Sequence, residues 1–330
     1  MIVSRTPYRI SFVGGGSDLS AYYRRRPGAV VSMALSRYMY VAVNRRFDDS
    51  IRVSYTRTEI VDDVDALKHD LIREAMKRTG VTHGVEVTTI GDIPAGTGLA
   101  SSSSLTVGVL HALYAFRGKS VTADRLAGEA CEIEIDILGR PIGKQDQYIV
   151  AFGGLQHIRF NSDGTVAADP VVCAPEMRQR FLGELMLFYS GIQRNSARVL
   201  IDARRQISGN GHAQAAMDRL VALVDDFRSV VASGEIQALG PLLHRSWLLK
   251  KKMSRRVSSP RLDRLYAVAR EAGATGGKVS GAGGGGCLLL AVPPGRRARV
   301  RRALVQRGLR EIPVGYEHQG SRLVYVGGDS

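Results

Sequence analysis

The stretch from Ile93 to Val107 constrains this chain most, because it joins a glycine-rich loop to the start of a helix. It reads Ile-Pro-Ala-Gly-Thr-Gly-Leu-Ala-Ser-Ser-Ser-Ser-Leu-Thr-Val, and the β-branched run 85–90 before it predicts a strand. Unpaired backbone N–H groups and the dipole at a helix N-terminus favour phosphate, and glycines let phosphate approach the backbone. The same residues could instead form only a turn and a helix cap, so this stretch alone leaves two interpretations open.

Two common nucleotide-binding patterns are absent from this loop. No Gly-Lys-Ser/Thr follows the glycines, which excludes a Walker A loop, and Gly-x-Gly-x-x-Gly is missing, which excludes the dinucleotide fingerprint. The segment from Pro94 to Ser103 does resemble the phosphate-binding motif of the GHMP kinases, a superfamily that covers galactokinase, homoserine kinase, mevalonate kinase and phosphomevalonate kinase. The resemblance implies that ATP binds at Pro94, Gly96, Thr97, Gly98, Leu99, Ala100, Ser101, Ser102 and Ser103.

Two further motifs extend the resemblance over nearly the whole chain. The first motif runs from Pro7 to Asp18, and the third motif runs from Lys278 to Cys287, in the order that the superfamily requires. The resemblance implies an α+β, two-domain GHMP kinase fold. Its parts would be an N-terminal ribosomal protein S5-like domain at residues 1–170 and a C-terminal ferredoxin-like domain at residues 171–330.

Composition narrows the class of protein. The chain has 330 residues, 44% of them hydrophobic, which is ordinary for a globular protein with a full core. No apolar run reaches membrane-spanning length, the N-terminus lacks a secretory pattern, and the three cysteines show no paired spacing. These features predict a cytoplasmic protein with no membrane partner, and they are compatible with a homo-oligomer.

The charge balance is strongly basic. Forty-six Lys and Arg against 31 Asp and Glu give +15. The basic residues are scattered in short clusters without an RNA-binding aromatic signature, so we predict no nucleic-acid partner. A positive field would favour phosphorylated small molecules.

A second group of candidate residues follows a predicted helix at 122–138. A Gly/Pro turn leaves Lys144-Gln145-Asp146 at a loop or at a new helix start, where Asp146 is a candidate general base or only a helix cap. The resemblance implies that Asp146 is the catalytic base and that a Glu in the preceding helix binds Mg²⁺. Glu134 is the match, with Asp136 as the alternative, since Glu132 points to another helix face. The hydroxyl ligand of Mg²⁺ would be Ser102, with Ser101 as the alternative.

The first and third motifs supply the remaining candidates. The resemblance places Arg9, with Lys144 as a second cation, near the transferring phosphate, and it places the acceptor against Gly14, Gly15, Gly16 and Asp18. Gly15 and Gly16 stand where galactokinase carries Glu-His, which opens space for a different or larger acceptor. Asp18 could also cap a helix. In the third motif, Gly281 and Gly283 would approach the substrate closely.

The amino-acid sequences of three segments resemble, within that superfamily, those of the heptose 7-phosphate kinases. These segments are Gly-Gly-Gly-Ser-Asp, Gly-Lys-Gln-Asp-Gln-Tyr and Phe-Gly-Gly-Leu. The implied reaction phosphorylates the anomeric hydroxyl of D-glycero-D-manno-heptose 7-phosphate to heptose 1,7-bisphosphate, for nucleotide-activated heptose and surface polysaccharide. Another sugar, an isoprenoid alcohol or a non-catalytic, ligand-sensing role are the alternatives. The cation that meets the acceptor's phosphate would be one of Arg194, Arg198, Arg24 and Lys252, and the sequence does not choose among them.

Overall fold

The structure is a computed structural model that describes residues 1–192, 196–209 and 211–327. Its strands are β1 (Ile2–Val13), β2 (Gly28–Arg45), β3 (Ile51–Ser54), β4 (Thr58–Val61), β5 (Val85–Gly91), β6 (Leu155–Phe160), β7 (Val166–Pro170), β8 (Leu185–Tyr189), β9 (Gly276–Val279), β10 (Cys287–Ala291), β11 (Arg310–Ile312) and β12 (Arg322–Val326). Its α-helices are α1 (Ser20–Tyr23), α2 (Asp70–Thr79), α3 (Ser101–Phe116), α4 (Ala123–Cys131), α5 (Gln145–Phe152), α6 (Pro175–Glu184), α7 (Ser196–Gly209), α8 (Gly211–Ser233), α9 (Leu239–Met253), α10 (Pro260–Glu271) and α11 (Arg297–Val305).

The first sheet has eight strands, and most of them come from the first half of the chain. The order is β12-β1-β2-β5-β3-β4, with β6 paired to β2 and β7 paired to β6. Sequence patterns predict a short strand at 2–5 and two separate strands at 29–34 and 38–43. In the structure β1 and β2 are each continuous, because a register shift between Pro7 and Tyr8 absorbs the irregular residues without ending the pairing.

Helix α3 carries the phosphate loop, residues 93–104, on its N-terminal end. It packs against β1, β2, α2, α4 and α5, and almost every residue from Ser103 to Tyr114 is buried. A helix that is enclosed on all sides can be apolar all round, which explains why this segment lacks a clear polar face. Its burial gives the loop a rigid base.

The helix predicted over 122–138 is not a single α-helix. It is α-helical as far as Cys131 and then continues as a π-helical turn from Glu132 to Ile137. A π-turn changes the angular spacing of side chains and is frequent at functional sites. It therefore decides which of the three acidic residues here points inward.

The second sheet has the order β11-β8-β10-β9 and is antiparallel throughout. If these four strands are numbered by their order in the chain, they lie in the order fourth, first, third and second along the sheet. Helices connect the first strand to the second and the third strand to the fourth, as in the predicted ferredoxin-like arrangement. The chain then returns to the first sheet, where β12 pairs with β1. This confirms the predicted α+β class with two sheets, while the boundary between residues 170 and 171 stays a proposal.

The two sheets share contacts at the centre of the molecule. One buried cluster combines Phe12 of β1 with Phe181 of α6 and Phe227 of α8. The buried Lys278 of β9 donates from Nζ to the carbonyl oxygen of Phe12 at 2.8 Å. Among the described helices, none is both long enough and apolar enough to cross a bilayer.

Candidate active site

The phosphate loop has a strained backbone that leaves a helix end open. Gly96 and Gly98 have φ of 81° and 79°, and Ala100 has φ of 70°, the only positive φ of a non-glycine residue in the described part of the chain. Ala100 occupies the N-cap position of α3, and its side chain accepts no hydrogen bond from the first N–H groups of the helix. The first N–H groups of α3 thus point outward without an intrahelical partner, which is the arrangement that binds an anion.

The first and third motifs both bind the carbonyl groups of this loop. Arg9 Nη1 donates to the carbonyl oxygen of Gly98 at 2.7 Å, and Ser280 Oγ donates to the same oxygen at 3.1 Å. The N–H of Cys287 donates to the carbonyl of Thr97 at 3.0 Å. Gly286 is required there, since a Cβ would lie 2.3 Å from that carbonyl oxygen. The three motifs, distant in sequence, therefore form one structure.

Arg9 also holds Asp146. Its Nε and Nη2 donate to the two carboxylate oxygens of Asp146 at 2.8 and 2.7 Å, a bidentate pair. The arginine side chain is buried, whereas 24% of the Asp146 side chain is exposed. The alternative in which Asp146 only caps α5 does not describe this geometry, because Lys144 occupies the N-cap position and the carboxylate faces Arg9.

Asp18 connects the turn of the first motif to the segment that precedes Asp146. Its carboxylate accepts from the N–H of Gly16 at 2.9 Å and of Gln145 at 3.3 Å. Gly143 packs on it, since a Cβ there would lie 2.0 Å from Oδ2. Burial, and then the negative charge of Asp146, raises the pKa of Asp18. Helix α1 starts at Ser20 with Leu19 at its N-cap, so Asp18 does not cap it.

Glu134 lies in a different environment, on the π-turn behind the phosphate loop. Its side chain is fully buried, and Oε2 accepts from Ser103 Oγ at 2.8 Å and from Gln147 Nε2 at 2.6 Å. Oε1 has no hydrogen-bond partner among the described residues and lies 3.7 Å from Arg140 Nη1. Burial raises the pKa of Glu134, and the neighbouring hydroxyl groups of Ser103 and Ser102 oppose that shift.

The other acidic and hydroxyl residues considered for the metal site lie in different surroundings. Asp136 is exposed, and Glu132 forms an ion pair with Arg78 of α2. Ser101 and Ser102 are both half-buried at the start of α3. The hydroxyl with the short contact to Glu134 is that of Ser103, which was predicted for ATP and not for the metal.

The residues around Glu134 fit a magnesium ion. A buried carboxylate oxygen that accepts no hydrogen bond, next to hydroxyl groups, offers the oxygen ligands that Mg²⁺ prefers. The described residues contain no cluster of three or more His, Cys, Asp or Glu that could hold a metal on their own. Mg²⁺ commonly needs only one or two protein carboxylates when phosphate groups supply further oxygens.

A cavity lies in front of Asp146, between the two halves of the molecule. Its first wall comprises Arg9, Gly15, Gly16, Asp18 and Asp146. Its second wall includes Leu200, Ala203, Lys250, Met253 and Gly281. Three of the four substrate candidates of the first motif, Gly15, Gly16 and Asp18, and one of the third, Gly281, are thus brought together with the candidate base.

Several predicted residues lie away from this cavity. Lys144 Nζ donates to the carbonyl of Gly164 at 2.7 Å. Gly14 packs on the backbone of Ala29, and Gly283 packs on the backbone of Val257. Arg194 lies outside the described residues. These positions leave the roles of Lys144, Gly14, Gly283 and Arg194 as predictions.

Lys250 and Gly143 are among the cavity residues that sequence reasoning missed. Lys250 lines it and is only 8% exposed, although the sequence drew attention to Lys252 from the same cluster. A helical face drawn through Leu243 and Trp247 would have included Lys250. For Gly143, which packs on Asp18, no signal in the sequence was available.

Comparisons with known proteins identify the family of this chain. Residues 66–154 match the family described as GHMP kinases N terminal domain, and residues 224–310 match GHMP kinases C terminal. A D-glycero-alpha-D-manno-heptose 7-phosphate kinase of Campylobacter jejuni is 28% identical over 92% of this chain and 93% of its own length.

Two solved structures share the fold. A D-glycero-D-manno-heptose 1-phosphate kinase of Bacteroides thetaiotaomicron has a TM-score of 0.81 at 24% identity, covering 99% of this chain and 100% of its own. A Streptococcus pneumoniae phosphomevalonate kinase in complex with phosphomevalonate and AMPPNP has a TM-score of 0.78 at 16% identity, covering 98% and 100%. The chain therefore belongs to the GHMP kinases.

Proposed function

We propose that this kinase transfers the γ-phosphoryl group of ATP to the anomeric hydroxyl of D-glycero-D-manno-heptose 7-phosphate. The observation that carries the proposal is the Arg9–Asp146 pair at the wall of a cavity lined by the first and third motifs, where Arg9 also binds Gly98 of the phosphate loop. Phosphoryl transfer depends mainly on positioning and charge neutralisation, and this arrangement supplies groups for both.

In the proposed step Asp146 accepts the proton of the sugar hydroxyl. The anomeric oxygen forms a bond to the γ-phosphorus, the bond from that phosphorus to the bridging oxygen breaks, and ADP leaves. Arg9 holds both oxygens of Asp146, yet each carboxylate oxygen has two lone pairs, so one remains for the hydroxyl. Arg9 also places positive charge beside the transferring group, where it stabilises developing negative charge.

The phosphate loop would hold the nucleotide. Open N–H groups at the start of α3 bind phosphate oxygens, and contacts to Gly98 and Thr97 keep the loop in place. Glu134 with Ser102 and Ser103 would hold Mg²⁺, with Ser102 as the predicted hydroxyl ligand and Ser103 the one that contacts Glu134. When bound, Mg²⁺ neutralises charge on the β- and γ-phosphates.

Two observations support a phosphorylated heptose as acceptor. The Campylobacter jejuni relative, which matches nearly full length, bears the name of a heptose 7-phosphate kinase. The net charge of +15 favours an acceptor that carries its own phosphate. The predicted product is heptose 1,7-bisphosphate, which would supply nucleotide-activated heptose for surface polysaccharide.

A coupled assay of ADP release tests the proposal. We would compare heptose 7-phosphate, mannose 6-phosphate, unphosphorylated heptose, galactose and mevalonate, and locate the new phosphate by ³¹P NMR. We expect the highest kcat/KM with heptose 7-phosphate and a new signal at the anomeric position. Highest efficiency with another acceptor would replace the proposed substrate, and phosphorylation of another hydroxyl would contradict the regiochemistry.

A further inference from the structure

Lys250 is a cationic side chain built into the wall of the cavity. It belongs to the buried stripe of α9, together with Leu243, Trp247 and Met253, and is only 8% exposed. Its Nζ donates to the carbonyl of Gly281 in the third motif. Burial of a charged lysine costs free energy unless its ammonium group gains partners, so a functional reason for this position is worth seeking.

The two cations that line the cavity, Arg9 and Lys250, differ in the groups that they bind. Arg9 is already engaged by both oxygens of Asp146 and by the carbonyl of Gly98. Among the described residues that line the cavity, the basic ones are Arg9 and Lys250. Lys250 donates to the carbonyl oxygen of Gly281, which carries no formal charge. An ammonium group carries three donors, so a change of ligand can replace that carbonyl by anionic oxygens.

The other predicted cations that the structure describes lie outside the cavity wall. Arg24 and Arg198 are exposed, and Lys252 is exposed in a separate groove between α8 and α9 that Arg219 and Leu248 also line. Arg194 is outside the described residues. Among these described basic residues, Lys250 is therefore the one that is buried, lines the cavity and does not pair with Asp146.

We propose that Lys250 binds the phosphate that the acceptor sugar already carries, and that it makes the enzyme specific for phosphorylated sugars. The inference rests on the proposed function. Lys250 and Asp146 line the same cavity, so a phosphate on the acceptor can replace the Gly281 carbonyl as a partner of Lys250 Nζ. Around the sugar, Leu200, Ala203 and Met253 provide apolar contacts.

The test crosses one substitution with one change of substrate. We would measure kcat/KM for heptose 7-phosphate and for unphosphorylated heptose with the wild type, Lys250→Met and Lys250→Arg. The matched control is Lys251→Met on the same helix, because Lys251 pairs with Asp263 near the surface. Melting temperatures and ATP affinity verify that each variant is folded.

We expect Lys250→Met to lower kcat/KM for heptose 7-phosphate by about ten- to a hundredfold, the value of one charge-assisted contact. The same change should lower kcat/KM for heptose by less than about threefold, since no phosphate contact is lost there. Lys250→Arg should recover part of the loss, and Lys251→Met should leave both values unchanged.

Equal losses for both sugars would overturn the inference, because Lys250 would then act on ATP or on the transferring group. No loss for either sugar would overturn it as well. If the wild type fails to use heptose 7-phosphate, the proposed acceptor fails instead, and Lys250 is tested with mannose 6-phosphate against mannose. A wild type that prefers unphosphorylated sugars throughout would contradict the role of Lys250.

Discussion

Glu134 and Asp146 lie on consecutive elements of the chain, yet their carboxylates meet opposite surroundings. Glu134 is fully buried among a hydroxyl and an amide, its nearest cation is 3.7 Å away, and burial raises its pKa. Asp146 has an arginine on both oxygens and keeps 24% of its side chain exposed at the cavity. The first environment favours a ligand that awaits a positive ion, and the second favours a carboxylate that faces a substrate.

The largest effect is expected for Asp146→Asn. The variant should fold and bind ATP normally but lose about 10²- to 10⁴-fold in kcat, because a carboxamide cannot accept the proton of the hydroxyl. Steady-state kinetics with heptose 7-phosphate, together with ATP titration, would measure this. Asp163→Asn is the matched control, since Asp163 is an exposed turn residue hydrogen-bonded to Thr165. Normal turnover in Asp146→Asn would remove this residue from the mechanism.

A smaller and different effect is expected for Glu134→Gln. The variant should need about tenfold more Mg²⁺ for half-maximal activity, since removing a charged ligand weakens binding of a hard cation. At saturating Mg²⁺ much of the rate should return, unlike in Asp146→Asn. Asp136→Asn, on the same π-turn but exposed, should titrate like the wild type. If Asp136→Asn changes the titration and Glu134→Gln does not, the alternative ligand is the correct one.

The comparison also shows how far the sequence predicts this molecule. The three motifs were predictable because each needs glycines where the backbone turns or packs against another carbonyl, as at Gly98 and Gly286. Glu134 was identified through a resemblance, with Asp136 as the alternative, and the same resemblance favoured Asp146 as a base over a helix cap. The structure adds the π-turn, from which Glu134 accepts hydrogen bonds from Ser103 of α3 and Gln147 of α5, and these contacts have no reliable sequence signal.

Tertiary contacts account for what was not predicted. Lys250 was not among the predicted site residues, and its contact with Gly281, 31 residues further along the chain, exists only in the folded structure. The return of β12 to β1 depends on contacts across almost the whole chain, for example between Ile2 and Val326. The short contact of Ser103 with Glu134 likewise depends on how the π-turn approaches α3.

The smallest expected effect is on stability, and it separates the two carboxylates without any substrate. Because the pKa of Glu134 is raised in the folded protein, the folded state keeps its proton to a higher pH than the unfolded chain does. Stability should therefore fall as pH rises from about 4.5, the ordinary pKa of a glutamate, through the raised pKa, and then level off. A tenfold change in the acid dissociation constant between the unfolded and folded states corresponds to roughly 1.4 kcal/mol of unfolding free energy.

Urea unfolding between pH 4.5 and 8, with EDTA present, would measure this dependence. Glu134→Gln should flatten the curve, so that its stability relative to the wild type increases with pH. Part of the slope should persist, since burial also raises the pKa of Asp18. Adding Mg²⁺ and ATP should stabilise the wild type more than Glu134→Gln, because a bound cation reverses the cost of the buried negative charge. Parallel curves for the two proteins would mean that Glu134 is already ionised at no cost, with Arg140 as its effective partner, and the contrast with Asp146 would then be one of exposure alone.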